Sequence, residues 1–167
     1  KADPLVEATV TGLRTQSGKE FPLDMIVFAT GFDAMTGALK SIEIRGLGGQ
    51  VLRDKWEHGP RTYLGLAVAG FPNMFILAGP GSPSVLSNMV HSIELHVDWL
   101  TRCLQQARAA GVKRIEADQQ AEDRWVAHVN EVADTTLYPT ANSWYMGSNI
   151  PGKPRVFMPY VAGVPAY

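Results

Sequence analysis

The chain has 167 residues, 46% hydrophobic and 19% charged, a globular composition of about one domain's size. A chain of this length buries roughly 70% of the surface it exposes when unfolded, enough for a real core. Lys plus Arg is 15 and Asp plus Glu is 16, a net charge of −1, which excludes a protein dedicated to nucleic acid or to an anionic membrane.

The single cysteine, Cys103, excludes an internal disulfide framework and a cysteine-built zinc site. It fits a reducing compartment, and with no signal-peptide pattern the expected location is cytoplasmic. The longest apolar stretches, residues 63–71 and 74–79, are too short to span a bilayer. An opening Lys1 in place of Met predicts a piece of a longer or processed polypeptide. No repeat with a period of roughly 20–50 residues is present.

In chain order, residues 6–13 and 19–23 flank the turn signal Gln16-Ser17-Gly18 and predict a β-hairpin. Residues 26–29 form a continuous apolar run stopped by Gly31, the pattern of a strand buried on both faces. Residues 41–45 alternate and give way to the loop 46–50. Residues 63–70 and 74–79 predict two further buried strands, separated by the turn Gly70-Phe71-Pro72-Asn73. After the loop Pro80-Gly81-Ser82-Pro83-Ser84, Met89, Ile93, Val97, Leu100, Leu104 and Ala107 recur at spacings of three and four. That period predicts a helix over 87–110, stopped by Gly111. A second helix fits 118–132, with Trp125, Val129 and Val132 on one face. From Leu137 onward, four prolines before Val161 and a high aromatic content predict an ordered, extended arm rather than a disordered tail.

The strand–glycine loop–helix unit around Gly79 is the strongest structural signal. A helix starting at Ser84 or Ser87 aims free backbone N–H groups and the positive end of its dipole at whatever sits there. A phosphate fits, and so does an anionic pyrimidine carbonyl such as that of a reduced flavin. An ordinary Ser-capped helix after a turn has the same pattern. Gly46-Leu47-Gly48 fails as a dinucleotide fingerprint, because Val51 occupies the third glycine position and only a short helical stretch, 52–57, follows. His58, His91, His96 and His128 have no zinc spacing and read as surface or core histidines. No Gly-x-Ser-x-Gly elbow exists, and Cys103 reads as a packed thiol. Trp144, with polar neighbours and the cations Lys153 and Arg155 nearby, either covers a nucleotide or staples the arm to the domain.

Three motifs together resemble one family. Asp24-Met25-Ile26-Val27-Phe28-Ala29-Thr30-Gly31-Phe32-Asp33 is similar to the Ala-Thr-Gly strand of class B flavin monooxygenases. Gly79-Pro80-Gly81-Ser82-Pro83-Ser84-Val85-Leu86-Ser87-Asn88-Met89 resembles the flavin-site loop of Baeyer–Villiger monooxygenases. Trp144-Tyr145-Met146-Gly147-Ser148-Asn149-Ile150-Pro151-Gly152-Lys153 resembles their C-terminal segment. The likeness is nearest to the phenylacetone, cyclohexanone and steroid monooxygenase group and runs from about Val6 to Tyr167.

The resemblance implies an α/β fold: part of a Rossmann-like FAD-binding domain, with a β-hairpin, buried strands, a long helix and an extended C-terminal arm. It implies that residues 1–34 end an NADP-binding domain and that 35–167 belong to the FAD-binding domain. Its cofactors are FAD and NADPH. Its reaction captures O2 as a flavin C4a-peroxide and inserts oxygen next to a ketone carbonyl, giving an ester or lactone. The resemblance assigns Met89, Asn88, Trp144, Ala29, Thr30 and Gly31 to cofactor binding. It assigns Ser84, Val85, Leu86, Ser87 and Met158 to the substrate pocket. No catalytic residue and no metal ligand falls in this segment, since the family's glycine-rich loops and catalytic arginine have no counterpart here. The expected partners are a small ketone, O2 and the upstream part of the same enzyme, with no nucleic acid and no membrane. Oxidation of sulfur or nitrogen is the alternative reaction, and a non-catalytic cofactor-binding remnant the alternative for the isolated chain.

Overall fold

The computed structural model describes residues 3–29, 31–84 and 87–167. Their contacts divide the chain into two units, 1–31 and 32–167. The content is mixed α and β, with a small sheet and mainly helices and turns.

The first unit is a three-stranded antiparallel meander: β1 (Leu5–Ala8), β2 (Gly12–Thr15) and β3 (Glu20–Pro22). The expected strand 6–13 is divided in two, because Thr9 N–H donates to the Gly12 carbonyl at 2.8 Å and closes a turn. The β2–β3 turn falls on Gln16-Ser17-Gly18 as predicted, with Gly18 at φ 86°. Gly12 is required by close approach: a Cβ there would lie 1.9 Å from the Phe21 carbonyl oxygen. The predicted buried strand 26–29 is not a strand. Met25, Val27 and Phe28 are exposed, and the segment pairs with no described strand. An apolar run becomes a strand only when a neighbour completes its ladder.

The second unit begins with two short helices, α1 (Gly37–Ser41) and α2 (Leu52–Lys55). The alternating stretch 41–45 yields only a bridge from Arg45 to Val51, around the predicted turn 46–50. The predicted strands 63–70 and 74–79 reduce to single bridges, Tyr63 to Ala67 and Ala67 to Phe75. Leu64 and Gly65 both take the left-handed conformation, φ 58° and 66°, and fold the chain back before a ladder can extend. Leu52, Trp56, Val68 and Phe71 form one core cluster beneath these turns.

Two long helices follow. In α3 (Met89–Ala109) the cap is Asn88, whose side chain accepts from His91 N–H at 3.2 Å. The helix therefore starts later than Ser84 or Ser87. In α4 (Gln119–Asp134) Asp118 caps by accepting from Ala121 N–H at 2.9 Å. The apolar stripe of α3 is turned outward: Met89, Ile93, Val97 and Leu104 are exposed, while Ser92 and His96 are buried. At about 100° per residue, the buried strip lies about 80° round the helix from the apolar one.

The arm after Leu137 is ordered, as predicted. Ala133, Met146 and Phe157 form a second core cluster flanked by Tyr138, Tyr145 and Val161. Arg155 ties the arm to itself, donating to Asn142, Ser148 and the carbonyls of Pro139 and Ala141. Among the described residues no helix is long and apolar enough to cross a membrane, and no cluster of His, Cys, Asp and Glu could hold a metal ion.

Candidate functional site

The loop 79–84 is fixed at four consecutive carbonyls, each by a different donor set. The Gly79 carbonyl accepts from the Ser82 hydroxyl at 2.7 Å, and that of Pro80 from the Thr62 hydroxyl at 2.6 Å. The Gly81 carbonyl accepts from the Trp125 indole N–H at 3.0 Å, and that of Ser82 from Tyr160 N–H at 2.9 Å. Buried carbonyls need partners, and four consecutive ones met in this way restrain the loop strongly. Small residues make this possible. Gly65 and Gly79 abut, and a Cβ on Gly79 would lie 2.5 Å from the Gly65 carbonyl oxygen.

This loop delivers the chain to the start of α3. Ser87 N–H donates to the Ser84 carbonyl at 2.9 Å, and Asn88 then caps the helix. Met89 is its first residue and is exposed. The first N–H groups of a 21-residue helix have no carbonyl within the helix to meet them, and they carry its positive dipole end. Ser84 is buried, and its hydroxyl has no partner among the described residues.

Met158 meets the same loop. Its carbonyl accepts from Gly81 N–H at 2.7 Å, and its own N–H donates to the Tyr145 carbonyl at 3.1 Å. One run of backbone bonds thus joins the loop, the Met158 segment and the turn Trp144–Met146. Trp144 is half-buried, with its ring 4.2 Å from that of Tyr145. The structure therefore brings together Ser84, Ser87, Asn88, Met89 and Met158 around one loop, with the Trp144 turn bonded behind Met158. Ala29 and Gly31 lie in the first unit and are exposed. Thr30, Val85 and Leu86 lie outside the described residues.

A surface groove of 570 Å³ contains none of these residues. Its cations are engaged elsewhere: Lys55 with Glu122 at 2.8 Å, Arg61 with Asp123 at 2.6 Å, and Arg155 within the arm. A free anion there would compete with built-in partners.

Sequence reasoning missed the residues that hold the loop: Thr62, Trp125 and Tyr160. Helical period places Trp125 on a buried face, but nothing in the sequence names Gly81 as its partner. It also missed the function of His96 within the core. The imidazole is buried, and its Nδ1 accepts from Ala78 N–H at 3.0 Å, which burial favours by lowering the pKa of the ring.

No family profile matches the chain. Among curated proteins, the chain is 44% identical over 167 residues to a Baeyer–Villiger monooxygenase of Pseudooceanicola batsensis, covering all of this chain and 30% of that protein. It is 41% identical over 165 residues to a phenazine N-monooxygenase of Lysobacter antibioticus, covering 99% of this chain and 30% of that protein. Among solved structures, an oxidized steroid monooxygenase bound to NADP aligns with a TM-score of 0.82 at 50% identity, over 97% of this chain and 30% of that one. A structure described as the OTEMO complex with FAD and NADP aligns with a TM-score of 0.87 at 37% identity, over 99% of this chain and 30% of that one. The chain spans about three tenths of the length of the curated relatives it matches.

Proposed function

We propose, given that the chain belongs to the Baeyer–Villiger monooxygenase family, that it is part of an NADPH- and O2-dependent FAD monooxygenase. That enzyme inserts oxygen next to a ketone carbonyl and releases an ester or lactone. The chain contributes one side of the flavin site and one wall of the substrate pocket. The observation that carries this reading is the loop 79–84, locked at four carbonyls and leading into the N-terminus of α3.

The residues present fit a flavin. The pyrimidine edge of the ring is rich in acceptors and becomes anionic on reduction, and the start of α3 offers N–H donors and a positive dipole end. The buried, unpartnered Ser84 hydroxyl adds a polar group in the same loop. In this reading Met89 meets the pyrimidine edge through its backbone, with Asn88 beside it. Ser84, Val85, Leu86, Ser87 and Met158 border the ketone. Trp144 covers NADP, and Ala29, Thr30 and Gly31 lie near the cofactors. When bound, FAD supplies the activation of O2. This chain's residues supply orientation of the ring and exclusion of water, for which the buried Met158 segment is suited.

The fold assignment that follows is part of a Rossmann-like FAD-binding domain for 35–167, with 1–34 as the end of an NADP-binding domain. The change of unit at Gly31 supports a boundary in that region. The lone Cys103 supports a reducing, cytoplasmic setting. The remaining partner is the rest of the same polypeptide.

The test is turnover by the full-length enzyme at fixed O2. Phenylacetone should stimulate NADPH oxidation and yield an ester one oxygen atom heavier than the ketone. A yellow protein that oxidises NADPH but never a ketone would sink the Baeyer–Villiger assignment. Oxidation of nitrogen or sulfur is the second reading, favoured by the likeness to a phenazine N-monooxygenase, and the same assay with an aromatic N-heterocycle decides it.

A further inference from the structure

Two left-handed residues stand next to each other in space behind the candidate site. Leu64 (φ 58°) precedes Gly65, and Ala78 (φ 52°) precedes Gly79. Their turns abut: Gly79 N–H donates to the Gly65 carbonyl at 3.2 Å, and Ile76 N–H to the Leu66 carbonyl at 2.8 Å. Side chains with a Cβ avoid this conformation, so something must hold each residue in it.

Each is met by one ring-bearing side chain, and the Leu64 turn is also closed by Leu66 N–H on the Tyr63 carbonyl and Gly65 N–H on the Thr62 hydroxyl, both at 3.0 Å. Ala78 N–H donates to His96 Nδ1 at 3.0 Å. The Tyr167 hydroxyl donates to the Leu64 carbonyl. The two holding rings face each other, with centroids 5.6 Å apart, and Trp125 closes the group 5.7 Å from Tyr167. Accepting at Nδ1 places the ring proton of neutral His96 on Nε2, which is buried with no partner among the described residues. An imidazolium would set a donor at Nδ1 against the Ala78 donor and break the hold.

We propose that His96 and Tyr167 are positioning residues that act as a clamp: by fixing the left-handed turns at Ala78 and Leu64, they set the loop 79–84 and hence the start of α3. The inference rests on the site reading above for its functional consequence, but not for its geometry. Neither is among the residues assigned to the cofactors or the substrate. Both act through the backbone of the loop.

The test uses the full-length enzyme and three substitutions, with Tyr167→Phe as a fourth. His96→Leu removes the acceptor. His96→Asn keeps an acceptor, Oδ1, attached to Cγ as Nδ1 is. Ala78→Gly removes the conformational penalty that His96 offsets, since glycine adopts positive φ freely. Amide hydrogen exchange across 76–84 should rise about tenfold in His96→Leu, the factor that a hydrogen bond of ordinary net strength carries. The ketone KM should rise while kcat changes less. His96→Asn should recover most of both effects, and Ala78→Gly should recover them in the His96→Leu background. Unchanged exchange across 76–84 in His96→Leu would overturn the clamp, and so would a double variant as perturbed as His96→Leu alone. Should His96→Leu fail to fold, exchange in His96→Asn and in Tyr167→Phe decides: wild-type protection in Tyr167→Phe overturns the clamp. A wild-type enzyme without flavin refutes the site reading, while the exchange results still support or overturn the clamp.

Discussion

Replacing Glu122 by Gln tests whether the site is held from a distance. Glu122 is fully buried and Lys55 nearly so, with 2.8 Å between their charged atoms. Between them they take both backbone groups of Ala69: its N–H donates to Glu122 at 2.7 Å, and its carbonyl accepts from Lys55 at 2.7 Å. Gln keeps an acceptor for Ala69 N–H but strips the counter-charge from a buried ammonium. Breaking a buried pair this way costs about 3 kcal/mol. For a domain of this size each kcal/mol moves the melting temperature by about 2–4 °C, so Glu122→Gln should melt about 10 °C lower. The consequence reaches the loop, because Trp125 sits one turn along α4 and its indole holds the Gly81 carbonyl. Flavin content should therefore fall along with stability. Thermal unfolding of Glu122→Gln, Lys55→Met and the double variant gives the coupling. A melting temperature lowered by less than about 3 °C in Glu122→Gln, or additive effects in the cycle, would refute the reasoning.

Asn88→Ala removes the α3 cap and should cost about 1 kcal/mol in thermal unfolding, with FAD released more readily on dilution. Trp144→Ala should weaken NADP binding in titration calorimetry while leaving bound flavin in place, since the backbone bonds behind the Trp144 turn do not need the indole. Stability should also depend on pH through His96. Burial lowers its pKa, so the unfolded chain takes up a proton first as the pH falls below about 6.5. The stabilisation is present above that value and is lost as pH drops toward the folded one. Melting curves from pH 7.5 to 5 should flatten in His96→Asn relative to wild type, and equal slopes would count against a neutral, buried imidazole.

The two long helices were legible because each carries its signal locally. Period of three and four marks α3, and Asn88 and Asp118 are residue types that cap. The arm was legible from its aromatics, which form a real cluster around Met146 and Phe157. The β2–β3 hairpin was legible from its turn, but the buried strands were not, because an apolar run states only that a segment wants burial. Residues 26–29 have the run but no described neighbour, and residues 63–70 turn back at Leu64. No sequence rule gives a leucine φ 58° here, and one of the groups that meets its turn is a hydroxyl about a hundred residues away in the chain.

The same distinction governs the site. The ends of the loop are written in its glycines and in the helix that follows, so the order loop, cap, helix was readable. Its support comes from Thr62, Trp125 and Tyr160, each bonding one carbonyl from a different part of the chain. Helix α3 shows why pattern alone misleads here. Its apolar stripe points to a buried face, yet the face it buries against this chain carries Ser92 and His96. A polar strip is buried when its bonds are specific, and the His96 bond to Ala78 is of that kind. The helix thus presents two faces with separate duties. The polar one fixes the loop from within, and the apolar one remains exposed along Met89, Ile93, Val97 and Leu104.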